Sequence, residues 1–186
     1  FPFSMVFPTI KELLAAAVPR SGAVVRGWVK TRRDSKACSF AEINDGSCRA
    51  SLQAVFSPDN GDFSRVLPDL VTGAAVEIQG DLVASPAAGQ KLELSARHVK
   101  IYGGCDPEKY PIQKKKTSDE FLRTVAHLRP RTNKYAAMLR MRAELAYAVH
   151  TYFRGNGFCY VHTPIFTASD CEGAGQMFTA TALDLS

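Results

Sequence analysis

The sequence predicts a small β-barrel, followed beyond a linker by a segment that opens with helices. Three observations predict it. Residues 22–102 alternate apolar and polar with period two, in five short runs separated by turn residues. Residues 103–118 replace that pattern with glycine, proline and lysine. From 119 onward the apolar spacing lengthens to that of one side of a helix.

Residues 1–21 form a lead-in. The first strand sets Val25, Gly27 and Val29 on one face and Arg26, Trp28, Lys30 and Arg32 on the other. In the second, Ala41 and Ile43 oppose Phe40, Glu42 and Asn44, and Asp45-Gly46 then signals a hairpin. The third sets Ala50, Leu52, Ala54 and Phe56 against Arg49, Ser51 and Gln53. Asp62 to Leu70 reads as a short helix with Phe63, Val66, Leu67 and Leu70 on one face. The fourth strand turns Val76, Ile78 and Leu82 inward. The fifth does the same with Leu92 and Leu94, then slips phase to Val99 and Ile101, as at a bulge. Five strands with a helix between the third and fourth fit an OB-fold, which binds oligonucleotides across strands two and three. A small sandwich would alternate in the same way.

Beyond the linker, Met138, Met141, Leu145, Ala148, Val149 and Tyr152 mark a helix from Tyr135 to Arg154, stopped by Gly155-Asn156-Gly157. A strand over Phe158–His162 follows, and Pro164 ends it. No apolar stretch reaches the ~18 residues of a membrane span. The N-terminus lacks a signal peptide's basic start and begins without Met, so the chain reads as a fragment or a processed form. Five cysteines without a CxxC pair read as reduced thiols of an intracellular protein. Neither zinc spacing nor a Ser-His-Asp arrangement is suggested. A net charge of +5 favours a polyanionic partner without requiring one.

Phe40 and Gln53 both point out of the barrel by strand parity. An exposed ring can stack on a base, and an amide offers a donor and an acceptor to a base edge. The competing readings are that Phe40 packs on the second segment and that Gln53 is merely solvated. Lys30, Arg32 and Arg33 suit an RNA backbone, or else a solvated basic edge that deters aggregation. Lys114-Lys115-Lys116 is a solvated cluster or a phosphate contact.

Several segments then carry a family resemblance. They are Val25 to Ala37, Asn44 to Cys48, Leu52-Gln53-Ala54, Glu120 to Thr132, and His162 to Phe178 with its acidic, glycine-rich Asp170-Cys171-Glu172-Gly173-Ala174-Gly175. Together they resemble the asparaginyl-tRNA synthetases, class II enzymes in the subgroup with the aspartyl and lysyl enzymes. The resemblance implies an OB-fold anticodon-binding domain at 22–102 and a linker at 103–118. It makes 119–186 the start of an α+β catalytic domain built on an antiparallel sheet. It implies that Phe40 stacks on the central anticodon uridine, that Gln53 reads that base, and that Glu93 helps read the first. Arg33, with Arg32 beside it, matches a basic pair near the RNA backbone.

The helix with Met138 and Leu145, and Pro164 after it, resemble the first class II motif, which implies a homodimer interface; a core helix of a monomer is the other reading. The loop Ser169 to Gln176 resembles the mobile amino-acid-binding loop. Glu172 matches the glutamate on the substrate ammonium, and Gln176 stands where the family carries Glu. His127, Arg129 and Arg131 fall in the hinge signature, where a structural role is expected of the histidine.

The implied activity is asparagine–tRNA ligation with tRNA(Asn), asparagine, ATP and Mg²⁺. Its setting is the cytoplasm, or an organelle if the source is eukaryotic, with no membrane. The two arginine-bearing motifs that hold ATP lie beyond Ser186, so the chain alone is expected to be inactive, with no catalytic residue or metal ligand of its own. The aspartyl enzyme is one alternative. A non-catalytic single-strand-binding barrel is another, and it would leave 119–186 unexplained.

Overall fold

The computed structural model describes residues 7–87, 89–113, 117–166 and 181–182. They divide into two units, 1–142 and 143–186. The first holds α1 (Ile10–Ala16), β1 (Arg20–Asp34), β2 (Ser39–Asn44), β3 (Leu52–Phe56), β4 (Ala75–Ala84), β5 (Leu92–Gly103), α2 (Asp119–Thr124) and the start of α3 (Asn133–Gly155).

The strands close into a barrel in the order β1-β2-β3-β5-β4, with β3 and β5 parallel and the other pairs antiparallel. Alternation decides what fills it. Val25, Val29, Ala41, Ile43, Leu52, Ala54, Phe56, Val76, Ile78, Leu82 and Leu94 are all buried in one cluster. Strand β1 serves two neighbours, pairing with β4 over its first half and β2 over its second. That double use brings backbones close together. A Cβ on Gly27 would lie 2.4 Å from the Asn44 carbonyl oxygen, and one on Gly80 would lie 2.0 Å from that of Ser95. Only glycine fits at either place.

The hand-over also shifts the register of β1. Val29 bonds through its backbone to Gly73 and Ala74 at 2.8 and 2.9 Å, and an irregularity between Val29 and Thr31 follows. Thr31 then faces Glu42, Arg32 faces Ala41 and Arg33 faces Phe40. Strict alternation puts Arg32 on the outer face with Lys30; the extra residue moves Arg33 there instead. The bulge expected in β5 is present, where Gln79 pairs with His98 but Gly80 pairs with Ala96.

The helix expected over Asp62–Leu70 is a turn followed by a short 3₁₀ segment at Leu67–Asp69. Pro68 has no N–H to continue an α-helix. The apolar residues still serve as expected, since Phe63 and Leu70 are buried and Phe63 meets Phe56 edge-on at 5.3 Å. Helix α1 was not foreseen. Ile10 and Leu13 enter the core from it, and Thr9 with Glu12 forms a capping box at its start. Its first turn is held by the β2–β3 loop: Ile10 N donates to Asp45 Oδ2 at 2.8 Å, and Lys11 N to Ser47 Oγ at 3.0 Å.

Helix α3 runs two residues beyond its predicted start and ends at Gly155. The strand expected at Phe158–His162 does not form; those residues are irregular. Among the described residues no strand lies beside them, and a lone strand leaves its backbone groups unpaired. The chain folds back on the helix end instead. Phe158 N bonds Phe153 O at 3.1 Å, and the two rings meet edge-on at 5.3 Å.

Candidate nucleic-acid interface

Directly paired residues of antiparallel strands share a face. Phe40 stands opposite Arg33 and Val55, and Glu42 stands opposite Thr31 and Gln53. Ser39 and Ala41 are buried, whereas Phe40 between them is only half-buried. The ring therefore lies on the outside of the barrel, as parity requires.

Phe40, Arg33, Gln53 and Glu93 follow one another across this face. The Arg33 guanidinium carbon is 4.6 Å from the centre of the Phe40 ring. Arg33 Nη2 donates to Gln53 Oε1 at 3.2 Å, and Gln53 Nε2 donates to Glu93 Oε2 at 3.4 Å. Ser85 Oγ donates to the same Glu93 oxygen at 3.0 Å, and Gln90 Nε2 reaches it at 3.4 Å. Gln90 also donates to Ser85 Oγ at 2.9 Å. Glu93 Oε1 has no hydrogen-bond partner among the described residues. Ser85 and Gln90 were not foreseen; they lie in the β4–β5 turn, where no periodicity marks them.

The basic residues sort by their partners. Arg33 touches a ring and a neutral amide, and Lys30 Nζ donates to Asn133 Oδ1 at 2.6 Å. Neither makes an ion pair among the described residues, so their charge is left for an anion. Arg32 is employed otherwise. It donates twice to Asp34 at 3.0 Å and also to the Leu67 carbonyl, leaving its side chain 22% exposed. Bonds from Ser39 and Arg32 hold the Asp34 carboxyl below its ordinary value.

A cleft of about 910 Å³ opens beside this face. Lys30, Arg32, Arg33, Phe40, Glu42 and Gln53 are among the residues that line it from the barrel, and Ser118, Asp119, Arg131, Asn133 and Lys134 among those from the segment after it. Lys134 is paired with Asp119. Arg131 lies 4.9 Å from the Trp28 ring and donates to the Tyr110 hydroxyl at 3.0 Å. Arg129 lies 4.9 Å from the Tyr135 ring. Stacking therefore occupies both arginines of that signature, while His127 is exposed. The face can thus take a flat ring, present hydrogen-bonding groups beside it and attract phosphate. These are the requirements of single-stranded nucleic acid.

On α3, Met138 is 48% and Leu145 is 60% exposed. Pro164 is exposed as well. Ser169, Glu172 and Gln176, like Lys114-Lys115-Lys116, lie outside the described residues.

Comparison with known proteins agrees with this geometry. Residues 23–102 match the OB-fold nucleic acid binding domain of the tRNA anticodon family, and residues 118–184 match the class II tRNA synthetases (D, K and N). An asparagine–tRNA ligase of Nostoc sp. is 51% identical over 181 residues, which is 97% of this chain and 39% of that protein. One from Treponema denticola is 51% identical over 179 residues, 95% of this chain and 38% of that protein. Over nearly its whole length the chain is thus similar to asparagine–tRNA ligases. It spans about two-fifths of the length of these curated relatives, at 39% and 38%. The asparaginyl-tRNA synthetase of Pyrococcus horikoshii shares the fold with a TM-score of 0.75 at 21% identity, over 87% of this chain and 38% of that one. The aspartyl-tRNA synthetase of Entamoeba histolytica also shares it, with a TM-score of 0.68 at 15% identity, over 88% of this chain and 40% of that one. The fold is thus shared with solved enzymes of both names, and the likeness to the asparaginyl ones in particular is carried by the sequence relatives.

Proposed function

We propose that this chain is the anticodon-binding part of an asparagine–tRNA ligase. The observation that carries it is the succession Phe40, Arg33, Gln53, Glu93 on the outer face of the barrel. The central anticodon base, a uridine, stacks on the face of the Phe40 ring that Arg33 leaves open. Gln53 has two N–H groups and two lone pairs; Glu93 and Arg33 take one of each. One donor and one acceptor remain for that base. Glu93 presents Oε1 to the first anticodon base. Lys30 and Arg33 meet the phosphates and add affinity without sequence choice.

The reaction served is two-step. Asparagine and ATP give asparaginyl-adenylate, and the acyl group then moves to the terminal ribose of tRNA(Asn). ATP and Mg²⁺ belong to the first step, with Mg²⁺ neutralising phosphate charge. Among the described residues no group of three His, Cys, Asp or Glu side chains is gathered to hold a metal ion. Glu172 is assigned to the substrate ammonium, and Ser169 to the amino-acid-binding loop around it. A homodimer joined along α3 is part of the proposal. It is supported by Met141, Leu145, Val149 and Tyr152, each more than half exposed at three- and four-residue spacing. An intracellular setting fits the unpaired thiols of Cys38, Cys48, Cys105 and Cys159.

Aminoacylation by the protein that carries this chain tests the reading. Asparagine should be attached to tRNA(Asn), and changing the central anticodon base should depress kcat/KM. Charging with aspartate in preference, or indifference to the anticodon, would contradict it.

A further inference from the structure

Gln53 is a reader with an ambiguity built in. Rotating its terminal amide by half a turn exchanges donor and acceptor with almost no change of shape. In one sense the amide oxygen accepts from N3–H of uracil and the N–H donates to O4. In the other sense the same group meets the N3 lone pair and the amino group of cytosine. An unconstrained glutamine would accept both bases.

Its neighbours remove that freedom. Arg33 has only donors, and its Nη2 sits 3.2 Å from Gln53 Oε1. An ionised Glu93 has only acceptors, and its Oε2 sits 3.4 Å from Gln53 Nε2. Turning the amide over would set N–H against guanidinium and carbonyl oxygen against carboxylate. Both hydrogen bonds would become repulsions. Glu93 is itself fixed, since Ser85 Oγ and Gln90 Nε2 converge on the same oxygen.

We propose that Arg33 and Glu93, steadied by Ser85, are positioning residues that lock the Gln53 amide in the uracil-matching sense. The choice of uridine over cytidine is then made by groups that need not touch that base. This rests on the reading of Gln53 as the central-base reader.

The test is the ratio of affinities for two anticodon stem-loops, one with central uridine and one with central cytidine, at fixed salt. Contacts to the first base and to phosphates are the same in both and drop out of the ratio. Glu93→Gln supplies a group that can meet either orientation. Its ratio should fall about fivefold or more, the scale of one unmet hydrogen bond at a half-buried site. Arg33→Met keeps the reach over Phe40 but removes the donor, and should lower the same ratio. Ser85→Ala should lower it less, and Ser85→Thr, which keeps the hydroxyl, should restore it. Wild-type ratios in Glu93→Gln and Arg33→Met, with a reduced ratio in Gln53→Ala, would overturn the lock and leave the anticodon reading standing. A ratio unmoved by Gln53→Ala as well would overturn both.

Discussion

Arg32 and Arg33 are adjacent in the strand and so face opposite ways, and the register shift between Val29 and Thr31 gives the outer face to Arg33. Arg33 lies over Phe40, whereas Arg32 ties β1 to Asp34 and to the Leu67 carbonyl. Opposite outcomes are expected for the two kinds of cation. Arg32→Ala should cost about 1 kcal/mol of stability, the worth of its hydrogen bonds, and leave the salt dependence of RNA binding unchanged. Lys30→Ala should weaken uridine and cytidine stem-loops alike and reduce the slope of log K against log salt by about one. Binding isotherms at several salt concentrations, with thermal melts of each variant, check both. Parity alone placed Phe40 and Gln53 correctly, because each lies on a regular stretch of strand flanked by core residues. It misplaced Arg32 because the shift depends on backbone bonds from Val29 to Gly73 and Ala74, forty-odd residues away in the chain. Ser85 and Gln90 were invisible for a similar reason: their role exists only through a side chain on the next strand.

The β2–β3 loop joins several elements. Asp45 and Ser47 receive the first turn of α1, and Arg140 of α3 donates to the Gly46 and Ser47 carbonyls. Burial pushes the Asp45 carboxyl up, but bonds from Ser47 and from Ile10 N outweigh it and hold the group below the ordinary aspartate value of 3.8. A depressed folded value means that its contribution is fully present above 3.8 and is lost as the pH falls through the folded value. Asp45→Ala should cost about 0.5–2 kcal/mol at neutral pH, the range for a lost helix cap. The gap from wild type should narrow as the pH falls below 3.8; a gap independent of pH would contradict the cause. At the barrel seam, Gly27→Ala should cost about 1–3 kcal/mol or more, as overpacking does, with the loss read as a lower unfolding midpoint. The five strands were legible from alternation. Helix α1 carried a readable signal in Thr9 and Glu12 that apolar spacing over seven residues was too short to reinforce. The strand at Phe158–His162 had the right composition, but composition cannot supply a neighbour.

At the scale of the whole molecule, the outer barrel face offers a ring, an amide, a carboxylate and two cations outside ion pairs among the described residues, and helix α3 carries exposed apolar residues. The helix predicts association. Sedimentation should show a dimer, and Leu145→Glu should shift it to monomer without loss of helix content. The barrel face predicts recognition, and that is tested most directly by affinity for an asparagine-tRNA anticodon stem-loop. The comparison is with the same stem-loop carrying three substituted anticodon bases, and with Phe40→Ala on the cognate loop. The expected result is a clear preference for the cognate anticodon. Phe40→Ala should remove about 1–3 kcal/mol of it, the worth of one stacked base, while the melting point barely moves because the ring lies outside the core. Equal affinity for both stem-loops, or a Phe40→Ala protein that binds as wild type does, would contradict the assignment of this face to the anticodon.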